Sequence, residues 1–310
     1  MDGILNIFKP RGISSYRLVR EVKNILKAKK AGHAGTLDPF ASGVLLVGIN
    51  QATKILEFMS ELEKHYEGEM VLGISTDTQD AEGKIIQKKE VDPTLDRKKI
   101  ELIFQRYKGT ISQVPPMFSA VHYEGKRLYQ LARVGKIVER KPREVNIYQL
   151  NLIDLIKGEN PIIKFEVVCS KGTYIRTLCN DIGEELGCGA YLSNLVRRRI
   201  GTFHIEDSLS LEDLKKDLTL AKKFLITMDS ALKGLEKITV GEDEARKILN
   251  GGFIFKKTAI ETSEETPIIR EDKLIKIVDG QGNLLALGTP RIKNRKDLII
   301  KPIKVFKISN

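Results

Sequence analysis

A short glycine-rich segment, residues 32–43, restricts the fold of this chain more than any other part of its sequence. The segment reads Gly-His-Ala-Gly-Thr-Leu-Asp-Pro-Phe-Ala-Ser-Gly and leads directly into the apolar run 44–47. Glycine adopts backbone conformations closed to other residues, and Pro39 disfavours a helical conformation at Asp38, so the pattern predicts a tightly turned loop before a buried strand. Two interpretations of Asp38 are open at this stage. Its carboxylate either forms an ordinary Asx turn with nearby backbone N–H groups or is held in place for chemistry.

The distribution of charge indicates a polyanionic partner. The chain has 310 residues, and its 52 Lys and Arg against 41 Asp and Glu give a formal net charge of +11. Residues 1–30 carry eight basic and two acidic side chains, and residues 126–143 carry seven basic and one acidic. A single patch of this kind is typical of a solvated surface, but two patches on either side of the Asp38 loop in sequence favour nucleic acid as the partner.

Several classes of chemistry have no support in the sequence. Cys169, Cys179 and Cys188 are odd in number and too widely spaced for a zinc knuckle, so we expect reduced core residues. The chain has no H-E-x-x-H metal motif, no nucleotide-binding P-loop and no dinucleotide fingerprint after a strand. It also has no apolar run as long as a signal peptide near its start or a membrane span elsewhere. We therefore expect a soluble, cytoplasmic protein that uses no metal and no other cofactor.

Apolar periodicity predicts helices interleaved irregularly with strands. Ser14 is suited to cap a helix with an apolar face and an opposite basic face, and residues alternating from Tyr66 predict a strand. An apolar stripe predicts a helix over residues 173–186, with Arg176 beside the stripe. Strands are also predicted over 44–49, 145–156 and 162–169, and a helix between Pro93 and Gly109. This order is typical of an α+β fold rather than a doubly wound sheet.

Two domains are predicted, with a boundary near residue 230. Residues 1–229 form the larger unit, and residues 230–310 form a strand-rich tail with a hairpin turn at 279–283. Within the larger unit, residues 126–143 lose helical periodicity after Ala132 and are dense in charge. This pattern predicts a mobile basic insertion that closes over bound RNA, and an ordinary disordered surface loop is the alternative.

Several stretches resemble the bacterial tRNA pseudouridine-55 synthases, the TruB family. The segment His33 to Leu45 matches the family's H-x-G-T-L-D-P-x-A-x-G-x-L motif throughout. Other similar stretches follow the order of the family: 6–12, 114–120, 125–133 and 170–178. The tail resembles a PUA domain, a small RNA-binding barrel, with an oligomerisation or packing module as the alternative. The resemblance implies a mixed, largely antiparallel central sheet flanked by helices, followed by a small β-barrel-like domain.

The resemblance also implies an activity, the isomerisation of uridine to pseudouridine at position 55 in the T-loop of tRNA. Asp38 is then the nucleophile that acts on a flipped-out base. It adds to the sugar or to the base, or it assists a glycal route, and these alternatives stay open. Arg176 is expected to pair with Asp38 and keep it ionised, although it could instead be a solvent-facing helix residue.

Six further residues receive roles from the resemblance. Tyr66 is expected to lie against the target uracil and is a candidate to take its C5 proton. His33 is expected to enter the RNA loop and support base flipping. The remaining substrate contacts implied are Tyr174, Leu195, Lys9 and Lys171. Core packing is the alternative for the tyrosines and the leucine, and a structural role is the alternative for the histidine. The two lysines and residues 197–199 are expected to be either phosphate contacts or local scaffold.

The predicted partner is the T-arm of tRNA, bound by a monomer without a guide RNA or protein partner. One rival hypothesis is a non-catalytic tRNA-binding or folding factor, which would use the same basic patches and would not require Asp38. Another is a relative that modifies a different RNA or works within a guide complex.

Overall fold

The structure is a computed structural model that describes residues 1–257, 272–294 and 297–307. Its helices are α1 Ser15–Ile25, α2 Leu56–Glu61, α3 Arg97–Arg106, α4 Leu128–Arg133, α5 Ile175–Glu185, α6 Leu211–Lys216, α7 Thr219–Lys223, α8 Met228–Ala231 and α9 Glu242–Leu249, with 3₁₀ turns at Asn50–Ile55 and Ile205–Asp207. The strands before residue 170 are β1 Gly3–Lys9, β2 Ala31–His33, β3 Ser42–Ile49, β4 Lys64–Leu72, β5 Ile74–Thr76, β6 Ile85–Lys88, β7 Gly109–Gln113, β8 His122–Tyr123, β9 Lys126–Arg127, β10 Arg143–Ile156 and β11 Ile162–Cys169. The later strands are β12 Ala190–Ile200, β13 Phe203–His204, β14 Leu209–Ser210, β15 Lys237–Thr239, β16 Ile254–Lys257, β17 Ile275–Val278, β18 Leu284–Asn294 and β19 Asp297–Val305.

One large mixed sheet organises the first part of the chain. Its strands run in the order β14-β1-β3-β12-β4-β11-β10-β7, with β2 added to β3 and β13 added to β12. The β1–β14 and β3–β12 pairs are parallel, and the other described pairs of this sheet are antiparallel. The prediction of an α+β fold with a largely antiparallel central sheet is confirmed.

Helix α1 shows how the sequence pattern produces the layer above this sheet. The Ser14 side chain accepts a hydrogen bond from the Arg17 backbone N–H and so caps the helix. Leu18 and Val22 are buried in an apolar cluster with side chains of β1 and β3, while the basic residues of the opposite face are exposed. The predicted basic amphipathic surface helix is confirmed.

A second apolar cluster lies under the Asp38 loop. Leu37 and Phe40 of the loop are buried together with Tyr66 of β4 and Leu195 of β12. The cluster continues to the buried face of α5, including Leu178. Because residues on both sides of Asp38 are packed in this core, the loop is fixed to the sheet rather than suspended in solvent.

The basic insertion has its own small fold. The hairpin β8–β9 leads into α4, and Leu128, Leu131 and Val138 form a separate buried cluster. The chain is irregular after α4, in agreement with the loss of periodicity in the sequence. The predicted mobility of residues 126–143 stays a prediction.

The C-terminal part contains a sheet with the strand order β15-β17-β18-β19-β16 and the helix α9 beside it. This sheet contacts the larger one, since Leu287 and Phe306 are buried in the same cluster as Ile4. Part of the predicted PUA-like tail, namely 258–271, 295–296 and 308–310, lies outside the described residues. The domain boundary near residue 230 stays a prediction. Within the described ranges, no helix combines the length and the apolar content required to cross a membrane.

Candidate active site

The loop that carries Asp38 is anchored through its backbone. The Ser15 hydroxyl at the start of α1 accepts from the Leu37 N–H at 2.9 Å and donates to the Leu37 carbonyl at 2.8 Å. On the other side of Asp38, the Pro39 carbonyl accepts from the Gly12 N–H at 2.8 Å. These contacts fix the backbone around the carboxylate, whose side chain is 34% exposed.

The loop ends where Gly43 enters β3. Gly43 has a φ of +112°, a region that residues with a side chain rarely adopt. A Cβ atom there would also collide with the backbone of Arg197 on the neighbouring strand β12. Glycine is therefore required for the close approach of β3 and β12 directly behind the Asp38 loop.

Arg176 lies in the first turn of α5 and reaches the Asp38 carboxylate. Its Nε is 2.9 Å from Asp38 Oδ2, and the arginine side chain is only 5% exposed. The other nitrogens donate to the carbonyls of Thr78 at 3.0 Å and Phe118 at 2.9 Å. The arginine is thus a buried cation that faces a partly open anion, rather than the solvent-facing residue of the alternative interpretation.

Tyr66, Tyr174 and Leu195 lie around this ion pair at different depths. Tyr66 and Leu195 are buried in the cluster below the loop, and Tyr174 is half-buried directly before α5. The Gln113 side chain fixes Tyr174 by accepting from its N–H at 2.8 Å and donating to its carbonyl at 3.1 Å. Burial raises the pKa of both tyrosines, so their hydroxyl groups are protonated at neutral pH.

His33 is the last residue of β2 and lies at the start of the glycine-rich segment that carries Asp38. Its Nδ1 is buried and has no hydrogen-bond partner among the described residues. Burial lowers the pKa of His33, and the nearby positive charges of Arg197 and Arg127 lower it further. The ring is therefore neutral at pH 7, which suits a stacking contact.

Comparison with known proteins identifies the family. The family model described as "TruB family pseudouridylate synthase (N terminal domain)" matches residues 23–175, and "tRNA pseudouridylate synthase B C-terminal domain" matches 176–238. The tRNA pseudouridine synthase B of Clostridium kluyveri is 42% identical over 99% of this chain and all of its own length. That of Clostridium acetobutylicum is 43% identical over 94% of this chain and 99% of its own. The chain belongs to the TruB family of pseudouridylate synthases.

Solved structures agree with this assignment. A chain from the crystal structure of a Cbf5–Nop10–Gar1 complex superposes with a TM-score of 0.73, at 26% identity, over 98% of this chain and 85% of that one. The TruB-family fold expected from the motifs is confirmed, and so is the prediction of an isomerase. The hypothesis of a non-catalytic factor is left without support.

Sequence reasoning missed one side chain in this TruB-family site, Asp80. It is buried in the turn after β5, and its Oδ2 lies 3.2 Å from Arg176 Nη1. Its other oxygen accepts from the Thr78 hydroxyl at 2.6 Å and the Glu82 N–H at 3.1 Å. Arg176 is therefore held between two carboxylates. The Asp80 side chain is buried, whereas the Asp38 side chain is partly exposed to solvent. Burial raises the pKa of Asp80, while the contacts of Thr78 and Arg176 oppose that shift.

Lys9 and Lys171, both predicted to contact the substrate, lie in different environments in the structure. Lys9 is fully buried, and its Nζ donates to the carbonyls of Pro10, Ile13 and Pro39. This placement differs from the expected contact with RNA and corresponds to the scaffolding alternative, because the amine is turned towards the protein backbone. Lys171 is exposed and forms an ion pair with Glu61 at 2.6 Å, so its role in binding stays a prediction.

The site presents one open carboxylate beside a buried cation, above an aromatic ring. Within the described ranges, His, Cys, Asp and Glu side chains form no group of three or more that could hold a metal. The expectation of cofactor-free chemistry stays a prediction. A lone carboxylate held in this way can act as a nucleophile or as an electrostatic partner for a developing positive charge.

Proposed function

We propose that this TruB-family chain converts the uridine at position 55, in the T-loop of tRNA, to pseudouridine with Asp38 as the nucleophile. The observation that carries the proposal is the 2.9 Å contact between the half-buried Asp38 carboxylate and the buried Arg176 guanidinium. The names of the relatives support tRNA as the substrate. The T-loop position follows from the motif resemblance around Asp38.

The reaction is an isomerisation that balances without an added reagent. The bond between C1′ of the sugar and N1 of uracil breaks, and a bond between C1′ and C5 forms. The proton on C5 is lost, and N1 gains a proton. Asp38 adds covalently to C1′ or to C6 of the base, or it assists a glycal route, and each of these requires its ionised form. Arg176 pairs with the carboxylate at 2.9 Å and stays charged throughout the reaction.

The target base has to leave the stack before Asp38 can act on it, since C1′ is shielded inside folded RNA. Tyr66 is buried in the cluster beneath the loop, and we assign its ring as the surface against which an extruded base lies. Because burial raises the pKa of Tyr66, the hydroxyl holds its proton at neutral pH. Stacking is therefore its primary role, and it takes the C5 proton only if another group accepts its own. His33, with its neutral ring, fills the vacated position in the RNA loop.

The charge distribution supports recognition of a folded RNA by the protein alone. Helix α1 and the 126–143 segment both present exposed basic residues, and they lie before and after the Asp38 loop in the sequence. Such side chains bind phosphates and fix orientation, while the pocket selects the base. We propose that neither a guide RNA nor a protein partner is needed.

A position-specific assay tests this proposal. Purified protein is mixed with a bare tRNA transcript labelled with tritium at C5 of its uridines, and with a matched transcript that carries cytidine at position 55. We expect about one tritium released per molecule of the first transcript and none above background from the second. Equal release from both would contradict the T-loop position. No release from either without an added RNA or protein would contradict action without a guide.

A further inference from the structure

Arg197 on β12 is a buried cation that forms no ion pair with the carboxylates the structure describes. Its side chain is 1% exposed and is the largest of the fully buried side chains in the described structure. Among residues 1–257, 272–294 and 297–307, no carboxylate lies within ion-pair distance of it. A buried charge that lacks a counterion is costly, so its presence calls for a specific set of hydrogen bonds.

The guanidinium of Arg197 connects both ends of the Asp38 loop. Its Nε donates to the Val44 carbonyl at 2.7 Å, directly after the loop. Its two terminal nitrogens donate to the carbonyls of Thr36 at 3.3 Å and Gly35 at 3.2 Å, directly before Asp38. One planar group thus holds the loop at its entry and at its exit.

The same guanidinium reaches the aromatic ring beneath the loop. One terminal nitrogen is 3.5 Å from the Tyr66 hydroxyl, and the guanidinium carbon is 6.0 Å from the ring centroid. Arg197 is therefore in contact with the loop that carries the carboxylate and with the ring on which the base would lie. In the described structure, no hydrogen bond joins the Tyr66 side chain directly to the Asp38 loop, so Arg197 is the polar link between them.

Only arginine has the geometry for this set of contacts. Five N–H donors in a rigid plane reach carbonyls on opposite sides, whereas the three donors of lysine radiate from one atom. An apolar side chain of similar volume would fill the space at a lower desolvation cost, but it would leave the three carbonyls without their donors. The contacts therefore fix the geometry of the loop and supply donors to three of its flanking carbonyls.

We propose that Arg197 is a positioning residue that sets the Asp38 loop at its working distance from Tyr66. The proposal rests on the proposed function. Arg197 does not touch the substrate, so its loss affects the chemical step through the placement of Asp38. A displacement of about 1 Å at a reacting group lowers a rate by about a hundredfold.

The first test is Arg197→Lys, with Arg199→Lys as the matched control. Arg199 lies on the same strand, and its guanidinium contacts Glu63 and the Gly201 carbonyl rather than the carbonyls that Arg197 binds. We measure tritium release in a single turnover at saturating enzyme, the Kd for the transcript, and hydrogen exchange of residues 34–41.

For Arg197→Lys we expect the rate to fall about a hundredfold while the Kd changes by less than about threefold, with faster exchange in the loop. The control should keep the rate and the exchange pattern of the wild type. A rate within about threefold of the wild type, measured well below the melting temperature, would show a merely structural role and overturn the proposal.

A second pair of variants decides the matter if Arg197→Lys does not fold. Gly35→Ala acts from the loop side, since Gly35 has a φ of +84° and its carbonyl accepts from Arg197. Gly187→Ala is the control, with a φ of +82° in open space after α5. We expect Gly35→Ala to reproduce the loss of rate at unchanged Kd, and the control to be active. An active Gly35→Ala variant would overturn the proposal.

The wild-type measurement separates this proposal from the proposed function. If the wild-type protein releases tritium and either test variant matches its rate, the positioning role of Arg197 is wrong and the function stands. If the wild-type protein releases none from a competent transcript, the proposed function itself is wrong.

Discussion

The Asp38 loop and the segment of residues 115–140 both contact Arg176, but they are held in different ways. Arg176 bonds the Asp38 carboxylate through one nitrogen and the Phe118 carbonyl through another. The loop is fixed by the Ser15 hydroxyl, by Arg197 and by a large buried cluster. These contacts form as the protein folds, and they hold the Asp38 carboxylate in place.

The 115–140 segment relies mainly on contacts within itself. Its backbone bonds join Leu128 to Val121 and Tyr129 to Ser119, and its buried cluster is small. At its far end, Val134 and Ile137 are more than three-quarters exposed between basic residues. A segment with few buried apolar contacts opens at lower cost than a packed core.

This difference separates two tasks in one site. Chemistry requires groups that do not move, because stabilisation of a transition state depends on preorganised charges. Binding of a folded RNA tolerates movement of the basic side chains, because their contacts with phosphates act over a longer range and carry no sequence information. Variants of the rigid region should therefore lower the rate, and variants of the segment should lower the affinity.

Replacement of Arg176 by lysine should have the largest effect on this contrast. The variant keeps a positive charge but cannot contact Asp38, Asp80 and the two carbonyls together. We expect the single-turnover rate to fall by about a thousandfold, or roughly 4 kcal/mol in the barrier, with tRNA affinity retained. Measurement of both quantities on one transcript checks this, and a parallel loss of affinity would contradict it.

Asp80→Asn sharpens the same prediction, because it leaves Asp38 and Arg176 in place. The amide can still accept a hydrogen bond but no longer neutralises the arginine. We expect a smaller loss than for Arg176→Lys, of about ten- to a hundredfold in rate. An unchanged rate would show that Asp38 alone suffices to orient Arg176.

Removal of charge from the segment should affect binding instead. The variant replaces four exposed residues by glutamine: Lys126, Arg127, Arg133 and Lys136. We expect the Kd to rise by about tenfold at moderate salt and the salt dependence to become shallower, since fewer counterions are released. The rate at saturating enzyme should stay near that of the wild type.

A matched control for this variant removes the same number of charges from exposed lysines outside the segment: Lys84, Lys88, Lys89 and Lys98. The control should bind tRNA nearly as the wild type does. Equal losses of affinity in both variants would mean that only net charge matters and would remove the special role of the segment.

The smallest expected effect concerns His33 and pH. Burial lowers the pKa of His33 below its ordinary value of 6.5, so the unfolded chain binds a proton before the folded one. Its contribution to stability is present above pH 6.5 and is lost as the pH falls through the lowered pKa. Urea unfolding of the wild type and His33→Gln at pH 7.5 and 5.5 should show a larger acid-induced loss for the wild type. Equal losses would contradict the burial of the ring.

Local signals in the sequence were sufficient to predict the Asp38 loop and two of the helices. Glycine and proline punctuate the Asp38 loop, and apolar periodicity marks α1 and the buried face of α5, because these features depend on neighbouring residues only. The end of regular structure soon after Ala132 is of the same kind. The pairing of Arg176 with Asp38 was expected from the family resemblance and not from spacing.

Contacts between residues far apart in the sequence could not be predicted from such local signals. Asp80 meets Arg176 across 96 residues of sequence. Arg197, Arg198 and Arg199 are equivalent in the sequence, yet an irregular register between β12 and β4 buries the first and leaves the other two partly exposed. Which basic residue enters the core depends on strand pairing, so the sequence alone could not separate scaffold from phosphate contact.

The role of Asp38 is tested most directly by tritium release from C5-labelled tRNA transcript, with wild type and Asp38→Asn compared side by side in buffer alone. The substitution preserves the size of the side chain and removes its charge. We predict release by the wild type, none above background by the variant, and Kd values that agree within about threefold. Release by Asp38→Asn at a rate near that of the wild type would contradict the assignment of Asp38 as the nucleophile.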